Sequence, residues 1–251
     1  MPTSIHSTTS STDSSPDHSA LQGFPLFTSW LKSGWQLFRR APIRLFGLLI
    51  LVFAVEALLQ WFVPTVGIPV SKWVVGGLTS LFWLVLVELN ESGRLEPARA
   101  LRGVGDKLPA LAGLAVVVLL AYAMQVACAT LLLGPQAIDL LVFADLTEAP
   151  SLSSAQLGLI LASGIPLATL FMFAAPLLLI DRLPLKDALI SSVRLVLRHA
   201  FAMTLLALLM IALIALGPFT FFLSVLLTGP WLLCVGFAAY QSMKAGSETA
   251  M

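Results

Sequence analysis

Charge is scarce in this sequence. Of its 251 residues only 11% are Asp, Glu, Lys or Arg, while 58% are hydrophobic. Soluble domains carry about 25% charged residues, so a water-soluble globule of this length would lack the polar surface it needs. The net charge of +1 leaves no global field for nucleic acid or acidic substrates, and no nucleic-acid partner is expected. Cysteine is limited to Cys128 and Cys234, both inside apolar runs. Two such residues exclude a disulfide framework or a zinc cluster and read as small buried side chains. The histidines, His6, His18 and His199, show no ligand spacing with one another or with the carboxylates. No G-x-S-x-G, H-E-x-x-H or P-loop is present. The basic gaps between apolar runs hold roughly 20 residues each, too few for a separate catalytic domain. No catalytic residue, cofactor or metal is expected, and the chain is not read as an enzyme.

What is present begins with a contrast. Among the first twenty residues eleven are Ser or Thr and none is Lys or Arg. A segment with so little apolar surface is expected to be disordered, and 1–23 reads as a cytoplasmic leader. From Phe24 the material changes. Phe27, Trp30, Leu31, Gly34, Trp35 and Phe38 recur at helical spacing, and Lys32, Arg39 and Arg40 cover the other side. Trp favours the water–lipid boundary and basic residues meet anionic headgroups. The stretch 25–40 therefore reads as an amphipathic interfacial helix, with Trp30, Trp35, Arg39 and Arg40 as membrane-surface anchors; a helix that binds in a partner's groove is the competing reading.

Six apolar runs follow, at about 45–63, 66–89, 109–133, 157–180, 201–216 and 219–241. Crossing a bilayer takes about 20 residues of helix, and backbone polar groups in lipid must pair internally. The expected fold is all-α: a polytopic membrane bundle of six transmembrane helices within 24–242, then a cytoplasmic tail at 243–251. The fifth run is short, and Gly217-Pro218 turns it into the sixth. Pro166, Pro176 and Gly229-Pro230 predict kinks. Thirteen of the fourteen basic residues fall before the first run, between the second and third, between the fourth and fifth, and after the sixth. The longest other gap, 134–156, carries Asp139, Asp145 and Glu148 instead. Basic residues stay on the cytoplasmic side, so both termini are expected there, with 134–156 on the far side. Each pair of runs also follows a basic, helix-compatible stretch: 25–40, 98–107 and 185–198. Ser33-Gly-Trp-Gln-Leu-Phe-Arg-Arg and Ser191-Ser-Val-Arg-Leu-Val-Leu-Arg are alike enough to suggest a parallel repeat, with chance similarity the competing reading.

Two opposite charges lie inside the first pair of runs. Glu56 is eight residues before Pro64 and Lys72 eight after it. In an antiparallel hairpin they lie at equal depth, roughly 10 Å below the outer end at 1.5 Å rise per residue. An isolated charge there costs roughly 2.5–3.5 kcal/mol on insertion scales. The spacing predicts a Glu56–Lys72 intramembrane ion pair. Gln60 shares a face with Glu56, and Gln125 and Ser163 fall at similar depth, a candidate polar layer. Gly76, Thr79 and Ser80 continue the Lys72 side and read as close helix packing. The pair reads either as a packing clamp or as part of a proton, ion or substrate route.

Gly34, Trp35, Leu37, Phe38 and Pro42 form a GW-x-L-F-x-x-x-P lead-in to the first run. Glu91-Ser-Gly-Arg, Phe173-Ala-Ala-Pro-Leu, Pro184-Leu-Lys-Asp-Ala, Ser191-Ser-Val-Arg-Leu and Ala239-Tyr-Gln-Ser follow it. With these motifs the chain resembles an uncharacterised family of bacterial inner-membrane proteins. It is distantly similar to the membrane domain of some glycerophosphodiester phosphodiesterases. The resemblance covers about residues 25–242 and implies six helices in a bacterial plasma membrane, but no reaction. Together these readings point to a structural, accessory or lipid- or partner-organising membrane protein, whose partners are the bilayer and an unidentified membrane protein. The alternative is a small-molecule or ion transporter built on the polar layer.

Overall fold

The computed structural model describes residues 17–63, 67–102, 104–145 and 151–248. The leader up to residue 16, the turn at Pro64 and Glu148 lie outside the described residues. The described chain is helical and contains no strand. Its elements are α1 (Asp17–Phe38), α2 (Pro42–Phe62), α3 (Gly67–Ser92), α4 (Pro97–Ala100), α5 (Leu108–Leu133) and α6 (Gln136–Phe143). They continue with α7 (Ser154–Ser163), α8 (Ile165–Leu170), α9 (Ala174–Leu179), α10 (Leu185–Arg198), α11 (Ala200–Ala215) and α12 (Leu223–Glu248).

Four helical stretches are long and apolar enough to cross a membrane: Pro42–Phe62, Gly67–Ser92, Gly105–Leu133 and Leu223–Ala245. The number becomes five if α10 and α11, between which the chain bends by 98°, are taken as one span. This is fewer than the six continuous helices that the apolar runs suggest. The run at 157–180 is divided into α7, α8 and α9. Gly164 and Pro166 stand at the first junction, and Pro176 sits in the first turn of α9, where its missing N–H costs the helix no internal bond but cannot extend the ladder back into α8. The run at 201–216 forms the 16-residue α11, shorter than the roughly 20 residues that a span requires. By contrast, α12 runs unbroken through Pro230.

The packing brings the ends of these helices together. Arg40 Nη1 donates to Asn90 O (3.4 Å), and Arg44 Nη1 to Leu95 O (3.1 Å), tying the start of α2 to the end of α3. Lys107 Nζ donates to Leu179 O (2.6 Å), which places a cation on the last carbonyls of α9. Lys244, near the end of α12, pairs with Asp181, just beyond α9. The basic gap after α3 is not a loose loop. Leu95 is buried, Ala100 and Val104 pack on the core, and Pro97 and Leu101 share a groove with Val52, Val55 and Leu78.

Two segments differ from the reading of the sequence. α1 begins at Asp17 and so extends into the stretch expected to be disordered; once a helix is nucleated, each added residue gains a hydrogen bond at little cost. α1 is also docked rather than lying free. Trp30 is 1% exposed, and Leu37 and Phe38 are buried with it. Its partners are α12 and α11. Trp30 is thus a core residue and not a surface anchor; Trp35, 50% exposed, lies on the open face with Arg39 and Arg40. At the other end, α12 continues to Glu248, so 243–248 is helix, and Met243 is buried. Of the three stretches in the suggested repeat, the first and third are helices of 22 and 14 residues, while the second holds only the four-residue α4 and a 3-10 turn at Gly105–Lys107. On α10 the face carrying Ala188, Ser192 and Val196 is the buried one.

Candidate functional site

Glu56 and Gln60 sit one turn apart on α2, facing the first turns of α3. The two helices approach closely there: a Cβ on Gly67 would stand 3.0 Å from Gln60 Cα. Across this seam Lys72 Nζ donates to Glu56 Oε1. Gln60 Nε2 donates to the same oxygen (3.4 Å) and to Ser71 Oγ (3.0 Å). Ser71 is fully buried and passes its own proton to Ile68 O (2.8 Å). Four side chains thus form one connected network. Glu56 is largely covered, with 14% of its side chain exposed, whereas Lys72 keeps 34% open. Such a network pairs the two charges directly and uses the carboxamide to link Glu56 to Ser71. A half-satisfied version would cost more than an apolar contact.

Gln125 and Ser163 are placed elsewhere. Gln125 Nε2 donates to Leu161 O (2.9 Å), and Ser163 Oγ to Ile160 O (2.7 Å). Both serve the end of α7, where the helix is interrupted at Gly164. Gly164 is held so tightly against α5 that a Cβ would stand 2.8 Å from Ala121 O. The three residues of the candidate layer therefore divide, Gln60 at the α2–α3 seam and Gln125 and Ser163 at the α5–α7 seam.

A second polar feature was not legible as a site. Between α8 and α9, Ser192 of α10 bridges the interruption. Its hydroxyl accepts from Phe173 N–H (3.2 Å) and donates to Leu170 O (2.9 Å). One side chain thereby satisfies a donor and an acceptor that the break would leave unpaired. Beside it a cleft of about 320 Å³ opens, lined among others by Gly76, Trp83, Val118, Ala168 and Met172. Thr79 and Ser80, also on its wall, donate to Val75 O and Gly76 O of their own helix (2.8 Å each). The cleft consequently presents mostly apolar groups. Gly76 serves close packing, since a Cβ there would stand 2.8 Å from Val118 Cγ2.

Below the cleft Trp83 packs against Phe173, Phe237 and Tyr240, with ring centroids 6.0–6.3 Å apart. Tyr240 donates to Asp181 Oδ2 (2.7 Å), and Lys244 holds Oδ1. Asp181 and Lys244 are far apart in sequence and carry no motif. The only signal was chemical: an acidic and a basic residue, each at the end of an apolar run.

No family model, no curated protein and no solved structure matches the chain.

Proposed function

We propose that the chain is a multi-pass scaffold of a bacterial plasma membrane, with six crossings, both termini cytoplasmic and a structural or lipid- and partner-organising role. The observation that carries this reading is the closure of the Glu56–Lys72–Gln60–Ser71 network. Each charge is spent on its neighbour, as befits a clamp between two helices. Crossings four and five are then the α7–α9 segment, whose break between α8 and α9 is bridged by Ser192, and the short helix α11. The orientation rests on the basic residues, and exposed aromatic residues mark the helix ends away from them. Trp61 and Phe62 end α2, and Phe219, Phe221 and Phe222 form the turn before α12. These suit the interface opposite the basic residues.

The reading is tested by the paired exchange Glu56→Leu with Lys72→Leu. A scaffold keeps its fold and its copurifying partners in the double variant. Loss of a biological function in a folded double variant overturns it. The orientation is tested by single cysteines placed in 134–156. They should react with a membrane-impermeant reagent in spheroplasts without lysis; reaction only after lysis overturns the topology.

The second reading, transport, is favoured by one observation: a helix interrupted at 171–173 beside an open cleft, a feature of many transporters. It requires solute flux in reconstituted vesicles that Ser192→Ala alters.

A further inference from the structure

Three arginines line one cleft. Arg40, Arg44 and Arg94 line a space of about 310 Å³, together with Ala41, Pro42 and Ile43. Two of the three are fixed by protein carbonyls: Arg40 by Asn90 O and Arg44 by Leu95 O. Each uses one N–H of a five-donor fork for this bond, so the remaining donors are available to a ligand. Arg94 follows Gly93, whose φ of +68° turns the chain back toward the start of α2. No carboxylate lines the cleft. The nearby Glu88 faces Arg99 instead (3.5 Å). Three like charges lining one space with no carboxylate among its lining residues repel one another unless an anion joins them, and planar guanidinium forks match phosphate oxygens. The first turn of α2 adds to this: Ala41 provides no side-chain cap, and Pro42 occupies the first helical position.

The cleft also has an apolar extension. Ile43 lines it and is 85% exposed. One and two turns further, Gly47 faces open space and Ile50 and Leu51 are exposed. Positions 43, 47, 50 and 51 share one face of α2, which gives an apolar track leading away from a cationic pocket. Free phosphate would use the pocket alone; a phospholipid would use both.

We propose that Arg40, Arg44 and Arg94 bind the phosphate of an anionic phospholipid, whose acyl chain lies along Ile43, Gly47, Ile50 and Leu51. The proposal rests on the membrane scaffold reading and gives its lipid-organising role a site. Basic pockets at the cytoplasmic ends of membrane helices are suited to such headgroups. Binding should weaken with added salt, since the arginines are partly open to solvent.

The test uses the full chain in neutral detergent, titrated with phosphatidylglycerol, phosphatidylcholine or inorganic phosphate. Thermal stability and lipid retention by native mass spectrometry are the readouts. Phosphatidylglycerol is expected to bind at least tenfold more tightly than phosphatidylcholine. Arg94→Gln should weaken it at least fivefold; its side chain makes no hydrogen bond among the described residues, so the fold should persist. R40Q/R44Q/R94Q should abolish the preference. Arg194→Gln and Arg198→Gln, exchanges of basic residues on α10, should leave the preference intact. An equal loss in those two variants overturns the proposal in favour of general surface charge. Equal binding of both lipids overturns it outright, and phosphate stabilising as well as lipid overturns the lipid assignment. A chain that resists alkaline extraction from membranes yet lacks the preference defeats this site and leaves the scaffold reading standing.

Discussion

Gly34 of α1 rests directly on Val235 of α12: a Cβ at position 34 would stand 2.6 Å from Val235 Cα. The two backbones approach as only glycine allows, and this contact seats α1 against the last helix.

Gly34→Ala should therefore cost about 1–3 kcal/mol through overpacking, measured by unfolding in mixed micelles. Gly47→Ala is the matched control. Nothing lies within 4 Å of a Cβ there, and replacing a mid-helix glycine should be neutral or stabilise by up to about 1 kcal/mol. Equal losses at both positions would show that α1 does not pack on α12 in this way.

The Glu56–Lys72 pair should behave as a unit. Lys72→Leu or Glu56→Leu alone strands a charge among apolar helices, at a cost of roughly 2.5–3.5 kcal/mol. The double exchange should recover most of that loss. A double-mutant cycle measures the coupling, and additive losses would mean that the two groups do not pair.

Ser192→Ala should leave Leu170 O and Phe173 N–H without partners inside the core. The expected loss is about 1–3 kcal/mol for each stranded group. Hydrogen exchange at residues 171–174 should accelerate, while exchange in the middle of α5 stays unchanged. Uniform acceleration would indicate a global effect instead of a local bridge.

Trp30 distinguishes a docked helix from one floating at an interface. Its indole N–H meets no acceptor among the described residues, so Trp30→Phe sacrifices no hydrogen bond and should cost only about 1–2 kcal/mol for the volume removed. Trp30→Ala should cost about 3–5 kcal/mol by opening a cavity. An interfacial anchor would show a small effect on unfolding in both variants and a larger one on membrane association.

The positions of the apolar helices were legible because length and apolarity are one-dimensional quantities. The run at 45–63 became Pro42–Phe62, and that at 109–133 became Leu108–Leu133. The Glu56–Lys72 contact was legible for a similar reason. Equal distance from a turn implies equal height in a hairpin, and the network then recruited Gln60, one turn away. Ser71 was missed because its value lies in its burial, which spacing does not state. The division of 157–180 was only half visible. Pro166 and Pro176 announced strain, but the gap at 171–173 carries no proline.

By itself the sequence determined that this chain is a set of apolar helices with cations collected at one group of their ends. Composition and periodicity suffice for that, since an unbroken helix satisfies its own backbone. Only the tertiary structure decided what covers each face. Gly34 met Val235 of α12, Gln125 met the end of α7, and Ser192 met a break in another helix. A helical stripe specifies the direction in which a side chain points, whereas the partner waiting there is set by packing among segments distant in the chain.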